Sequence, residues 1–239
     1  TGGAGATTLI VENGGLLGGS GSIQGNVVVQ TGGTVSPGNS VESLSMGNLT
    51  LSQGSNLVFE FINATGATPG ADWDLIDLGA TGILDVSALS AVNRATLNID
   101  SWKADNTAHG GGVGPDWNNF DPLGSYEWLF IKVANLSNLV PNTTDDDFGR
   151  LFNIVDDASN AGVFGVADGN PFTRPISSLG QGTCTVSWKT GAQGSGLYIN
   201  YSAIPEPGTM LLTGLASLGA SWYGRRRLRR RAVSADVVC

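Results

Sequence analysis

Cysteine and histidine are nearly missing from these 239 residues: Cys184 and Cys239 are the two thiols and His109 is the single imidazole. With no C-x-x-C and no Cys/His spacing, neither a disulfide framework nor a metal or redox centre is expected. His109 sits in the glycine-rich stretch "TAHGGGVGPDW", where no Ser/His/Asp set can be assembled around it. No catalytic residue, metal ligand or cofactor is therefore assigned. Charge is scarce too, at 13% of the chain, and basic charge in the body is scarcer still. Residues 1–204 hold six basic groups (Arg94, Lys103, Lys132, Arg150, Arg174, Lys189) against 18 acidic ones, a local balance of −12. Such a body repels nucleic acid and anionic lipid. The chain starts at Thr1 without a basic-then-apolar leader, so a secretory signal is expected to be removed or to lie upstream.

What is abundant is glycine, 36 residues, and in one region it keeps time with aliphatics. "GNVVVQTGG" (25–33) and "GNLTLSQGS" (47–55) align as Gly-Asn-aliphatic-x-aliphatic-x-x-Gly-small at an offset of 22, and "TLIVENGG" (8–15) joins the frame at an offset of 18. Leu9 and Val11 thus fall opposite Val27 and Val29, and then Leu49 and Leu51. Aliphatics two apart share one side of a strand, and the Asn/Gly/Ser cluster after them turns the chain. A flexible linker would not hold aliphatics in register. A period of about 20 residues means stacked coils, each too small to bury its own apolar face. The expectation is a parallel β-helix with Leu9, Val11, Ile23, Val27, Val29, Val35, Leu44, Leu49, Leu51, Leu57 and Phe59 inside, and a corner at "VSPGNSVESL" (35–44). The stretch "GGLLGGSGSIQGNVVVQTGGTVSPGNSVESLSMGNLTLSQGSNLVFEF" resembles the repeat of autotransporter passenger regions, secreted β-helices displayed on bacterial surfaces. That resemblance covers residues 9–61.

From Gly66 the period is lost while strand signals continue in "DWDLIDLG", "GILDV", "ATLNIDSW", "YEWLFIKVA", "TCTVSWKT" and "GLYINYSA". Phe148, Leu151, Phe152 and Val155 keep helical spacing behind Asp145–Asp147, but a strand "LFNIVDD" competes for the same residues, and both remain open. The fold class expected is all-β: a solenoid over 1–65 and an irregular β cap over 66–204.

The end of the chain is a different object. Gly208–Gly224 is 17 residues without a charge, about 25 Å as a helix against roughly 30 Å of bilayer core. Trp222 and Tyr223 stand where interfacial aromatics belong, and Arg225, Arg226, Arg227, Arg229, Arg230 and Arg231 form a stop that stays on the cytoplasmic side. Pro205 and Pro207 flank Glu206 and hold an extended segment before this one transmembrane helix. Pro-Glu-Pro, a short span and an arginine cluster, in that order, resemble the PEP-CTERM sorting signal over 205–231, with 232–239 as a tail. The resemblance implies an exosortase, a membrane enzyme that recognises the signal and removes the tail, with the inner membrane as a transient anchor. Cys239 then lies on the reducing side and Cys184 in the exported body, so the two are not expected to pair.

The carboxylates Asp72/Asp74, Asp145–Asp147 and Asp156/Asp157 match no calcium-loop spacing and are expected in solvated turns and caps. Trp102, Trp117, Trp128 and Trp188 would stack on sugars if exposed, but core packing is expected of them. The functional expectation is a non-enzymatic surface or extracellular-matrix protein of a bacterium that secretes exopolysaccharide. Its expected partners are the exosortase-type enzyme and exopolysaccharide, with no nucleic acid. The alternative is a polysaccharide-binding or polysaccharide-degrading β-helix.

Overall fold

Leu9, Val27, Leu49, Leu84 and Leu139 stand one above another on successive strands of one sheet, each the register partner of the next. Leu17, Val35, Leu57, Leu97 and Ile154 do the same on a second sheet. These two columns come from a computed structural model that describes residues 7–105, 118–121, 123–140, 146–156 and 181–204. The chain divides into two units, 1–203 and 204–239; the fold below is that of the first.

The chain alternates between the sheets. The first, of nine strands, takes β1 (Thr8–Val11), β3 (Gly21–Val29), β5 (Ser43–Leu51), β7 (Leu75–Asp77), β8 (Leu84–Asp85), β10 (Ser125–Lys132), β11 (Leu139–Val140), β13 (Gln181–Gly191) and β14 (Gly194–Ile204). The second, in the order β12-β9-β6-β4-β2, takes β2 (Leu16–Gly19), β4 (Thr34–Pro37), β6 (Asn56–Phe61), β9 (Ala95–Ser101) and β12 (Phe152–Asp156). Pairing is parallel throughout the second sheet and in the first as far as β10 and β11. There β10 pairs antiparallel with β14, and β13 follows β14 at the edge.

The repeat has a physical reading. Asn48 Nδ2 donates to Asn26 Oδ1 at 2.7 Å and Asn48 Oδ1 accepts from the Ile83 N–H at 2.7 Å, so the asparagines form a ladder along the stack. The glycine before each asparagine sits where backbones close in: a Cβ on Gly47 would stand 2.8 Å from the Gly25 carbonyl oxygen. The turn glycines Gly32 and Gly54 hold φ of 78° and 70°, and the Gly32 N–H donates to the Gly54 carbonyl at 2.8 Å. A side chain would strain that conformation.

Stacking does not stop at residue 65. The interval between column members grows from 18 residues (Leu9 to Val27, Leu17 to Val35) to 55 (Leu84 to Leu139) and 57 (Leu97 to Ile154). Below β5 the next circuit splits, β7 pairing its first half and β8 its second. The added residues lie between strands, mainly at 62–74 and 102–124, which is why the period vanishes from the sequence while the ladder persists. The widened interior is filled by aromatics: Phe61 stacks on Trp128 at 5.4 Å, and Phe130 meets Phe152 edge-on at 6.1 Å.

Of the residues expected inside, Val11, Val27, Val29, Val35, Leu44, Leu49, Leu51, Leu57 and Phe59 are buried. Ile23 is half-buried, beside the register shift between Ile23 and Asn26. Leu9 departs from expectation, 39% exposed, because among the described residues β1 is an edge strand, paired on one side by β3. The corner is narrower than 35–44, since Thr34–Pro37 is strand and the turn begins at Gly38. At 146–156 a 3-10 turn (Asp146–Arg150) gives way to β12, whose Ile154 pairs with Leu97; the ladder wins over helical spacing.

Candidate functional site

The strand that leads into the Pro-Glu-Pro segment is held on both edges. β14 lies between β10 and β13, with Ser202 opposite Ser125 and Tyr201 opposite Tyr126. Its last amide bond inside the sheet is Ala203 N–H to the Gly124 carbonyl at 3.2 Å. A run buried on both faces drives this docking: Leu197, Tyr198, Ile199 and Tyr201 are buried, and Tyr201 meets Phe120 edge-on at 4.9 Å. β14 ends at Ile204, and the chain passes directly into Pro205.

Residues 203–227 match the PEP-CTERM protein-sorting motif. No curated protein and no solved structure matches the chain. The motif marks an exported protein with a C-terminal sorting signal, processed by an exosortase membrane enzyme. Its first two residues, Ala203 and Ile204, are also the last two of β14. Pro205, Glu206, Pro207 and the six arginines from Arg225 to Arg231 lie outside the described residues, as does the transmembrane helix expected over 208–224. Among the described residues no helix is long and apolar enough to cross a membrane.

On the outer face of the same strands lies an open recess of about 810 Å³. Tyr126 and Glu127 from β10, Ser187 and Lys189 from β13, Asn200 from β14 and Arg150 from the 3-10 turn line it. Lys189 donates to Glu127 in an ion pair with the two side chains 34% and 59% exposed, a geometry that contributes little to stability. Asn200 Nδ2 donates to Ser187 Oγ at 2.9 Å, and the Tyr126 hydroxyl accepts from the Asp121 N–H at 2.7 Å. The recess was not legible in the sequence, because its residues meet only when β10 pairs with the distant β13–β14 hairpin.

Asp74 is a correction. It is 1% exposed, not in a solvated turn, and its carboxylate accepts from the Glu42 N–H and the Glu60 N–H, each at 3.0 Å. It thereby ties the start of β5 to β6 across the interior. Burial pushes its carboxyl well above the ordinary 3.8, the charge of Glu60 adds to that, and the two amides offset part of it. Asp72 does organise a turn, accepting from the Ala67 and Thr68 amides at 3.0 and 2.9 Å. His109, Trp117, Asp145, Asp157 and Cys239 lie outside the described residues. Trp128 is buried with its indole donating to the Ala64 carbonyl at 3.0 Å, while Trp102 and Trp188 are half-buried. Cys184 carries a free thiol packed against the core, and burial pushes that thiol up, away from reactive thiolate.

Proposed function

We propose that this chain is a non-enzymatic surface or extracellular-matrix protein whose body is a short parallel β-helix closed by an antiparallel hairpin. In this reading Gly208–Gly224 anchors it briefly in the inner membrane, the arginines stay cytoplasmic, and the exosortase releases the body to the cell surface. The observation that carries the proposal is the sorting motif starting inside the last strand of a folded β body. A matrix role fits a stack of coils with an acidic balance of charge, which favours solubility. The test replaces Pro205, Glu206 and Pro207 by alanine in a host that carries an exosortase. Hydrophobicity and the arginine cluster are untouched, so insertion should persist while tail removal fails; equal tail removal in both forms would overturn the reading that Pro205, Glu206 and Pro207 are the recognised element.

A second reading, polysaccharide binding, draws on the recess beside β13 and β14, whose hydroxyl, amide and paired-charge lining is suited to polyhydroxylated chains. Degradation has less to support it. Hydrolysis of a glycosidic bond needs two carboxyl groups facing each other, and Glu127 is the one carboxylate among the described residues lining the recess, already paired to Lys189. Binding of soluble exopolysaccharide to the tail-free body, lost in Glu127→Ala/Lys189→Ala, would favour this second reading.

A further inference from the structure

The outward faces of the two sheets are built differently. On the first sheet polar side chains bond one another: Asn26 to Asn48, Asp77 to Lys132 at 2.8 Å, Glu127 to Lys189 and Asn200 to Ser187. On the second sheet buried and open positions alternate, and the open ones stand in register as Leu16↔Thr34↔Asn56↔Thr96↔Asn153, with Val58↔Asn98↔Val155 beside them. Neither row holds a charge, in a body where 18 acidic groups face six basic ones. Thr34, Thr96, Asn98 and Asn153 make no side-chain hydrogen bond among the described residues, and Asn56 uses Nδ2 on the Gly33 carbonyl at 3.3 Å. Hydroxyls and amides that donate and accept are thus left open on four successive strands, β4, β6, β9 and β12.

Size and charge decide what fits there. Five strands about 4.8 Å apart, with two rows of side chains, make a strip of roughly 300 Å², well below the about 800 Å² that each partner gives to a stable protein pair. A face without cations in an acidic body offers nothing to an anionic polymer. A neutral polyhydroxylated strand suits both limits, since an extended β-1,4-linked glycan advances by about one ring per strand spacing and meets a fresh hydroxyl or amide each time.

We propose that the outward face of the second sheet binds a neutral, extended polysaccharide strand that runs along the stack over Thr34, Asn56, Thr96 and Asn153. This rests on the polysaccharide-binding reading above, and it puts the contact on the sheet that contributes no residue to the recess.

The test is titration calorimetry on the full chain in detergent micelles, with cellohexaose as the neutral probe and hexagalacturonate as the anionic one. Cellohexaose should bind, and its affinity should not fall as salt is raised. Thr34→Val/Thr96→Val removes two hydroxyls while keeping side-chain shape and strand preference, and should weaken binding about tenfold with the denaturant midpoint held. Glu127→Ala/Lys189→Ala, at the recess, should bind within about twofold of wild type. Full affinity in the threonine pair, with loss in the recess pair, would overturn the strip and leave polysaccharide binding at the recess. Preference for hexagalacturonate would overturn the strip as well. A wild-type dimer in sedimentation that Thr96→Lys dissolves would give the face to a second copy instead. A wild type that binds neither probe overturns the strip and, if soluble exopolysaccharide also fails to bind, the reading beneath it.

Discussion

Asp74 stores an unusual pH dependence in a single side chain. Its folded carboxyl titrates above 3.8, so over the interval from there up to its raised value the folded state holds a proton that the unfolded chain has lost. Stability contributed at this site is therefore largest below 3.8 and falls as pH rises through that window. Urea unfolding of wild type and Asp74→Asn at steps from pH 3.5 to 8 should show the difference shifting in favour of the variant as pH rises; a constant difference would mean that Asp74 titrates alike in the folded and unfolded chain. Val29 makes the complementary point. It is fully buried between Val11 and Leu51 in the column, and Val29→Asp puts an unpaired charge there, costing at least ~3 kcal/mol and roughly 10 °C in Tm by calorimetry. The position of Val29 was readable because aliphatics two apart recur in frame. That of Asp74 was not, since "DWD" reads as a turn until β5 and β6 close over it.

At the scale of the element, the repeat frame is explained by contacts between coils. Asn48→Ala leaves the Ile83 N–H and Asn26 Oδ1 without their partner and should cost about 1–2 kcal/mol, measured by denaturant midpoint. Gly47→Ala places a methyl 2.8 Å from the Gly25 carbonyl, and pushing two coils apart should cost about 1–3 kcal/mol with the denaturant slope unchanged. Both costs would shrink to nothing if the coils were not stacked at this spacing. Strand identity was legible in all six later segments, each of which contains a strand. Their arrangement was not, because β7 and β8 are only three and two residues long and a split circuit leaves no period to find.

At the scale of the whole molecule, the two ends of the nine-stranded sheet differ. One end is β1, with Leu9 and Ile10 39% and 49% exposed; the other is the antiparallel β14–β13 pair. Deleting residues 181–204 bares the edge of β10, whose buried Trp128–Ile131 run is a template for pairing with other chains, and size-exclusion chromatography should show aggregation where the intact body elutes cleanly. The sorting segment was legible because its parts stand in order along the chain and need no fold to be seen, whereas the recess required three strands to meet. The widening circuit also dictates a sequence of events in time. Closing a 57-residue loop costs about 1 kcal/mol more chain entropy than closing one of 18, so the circuits that need the least chain form soonest. Pulse-labelled hydrogen exchange should find Val27–Val29 protected ahead of Leu97 and Ile154. Folding would then travel from the narrow coils to the wide ones, with the β13–β14 hairpin docking last, since pairing Ser202 with Ser125 closes 77 residues of chain.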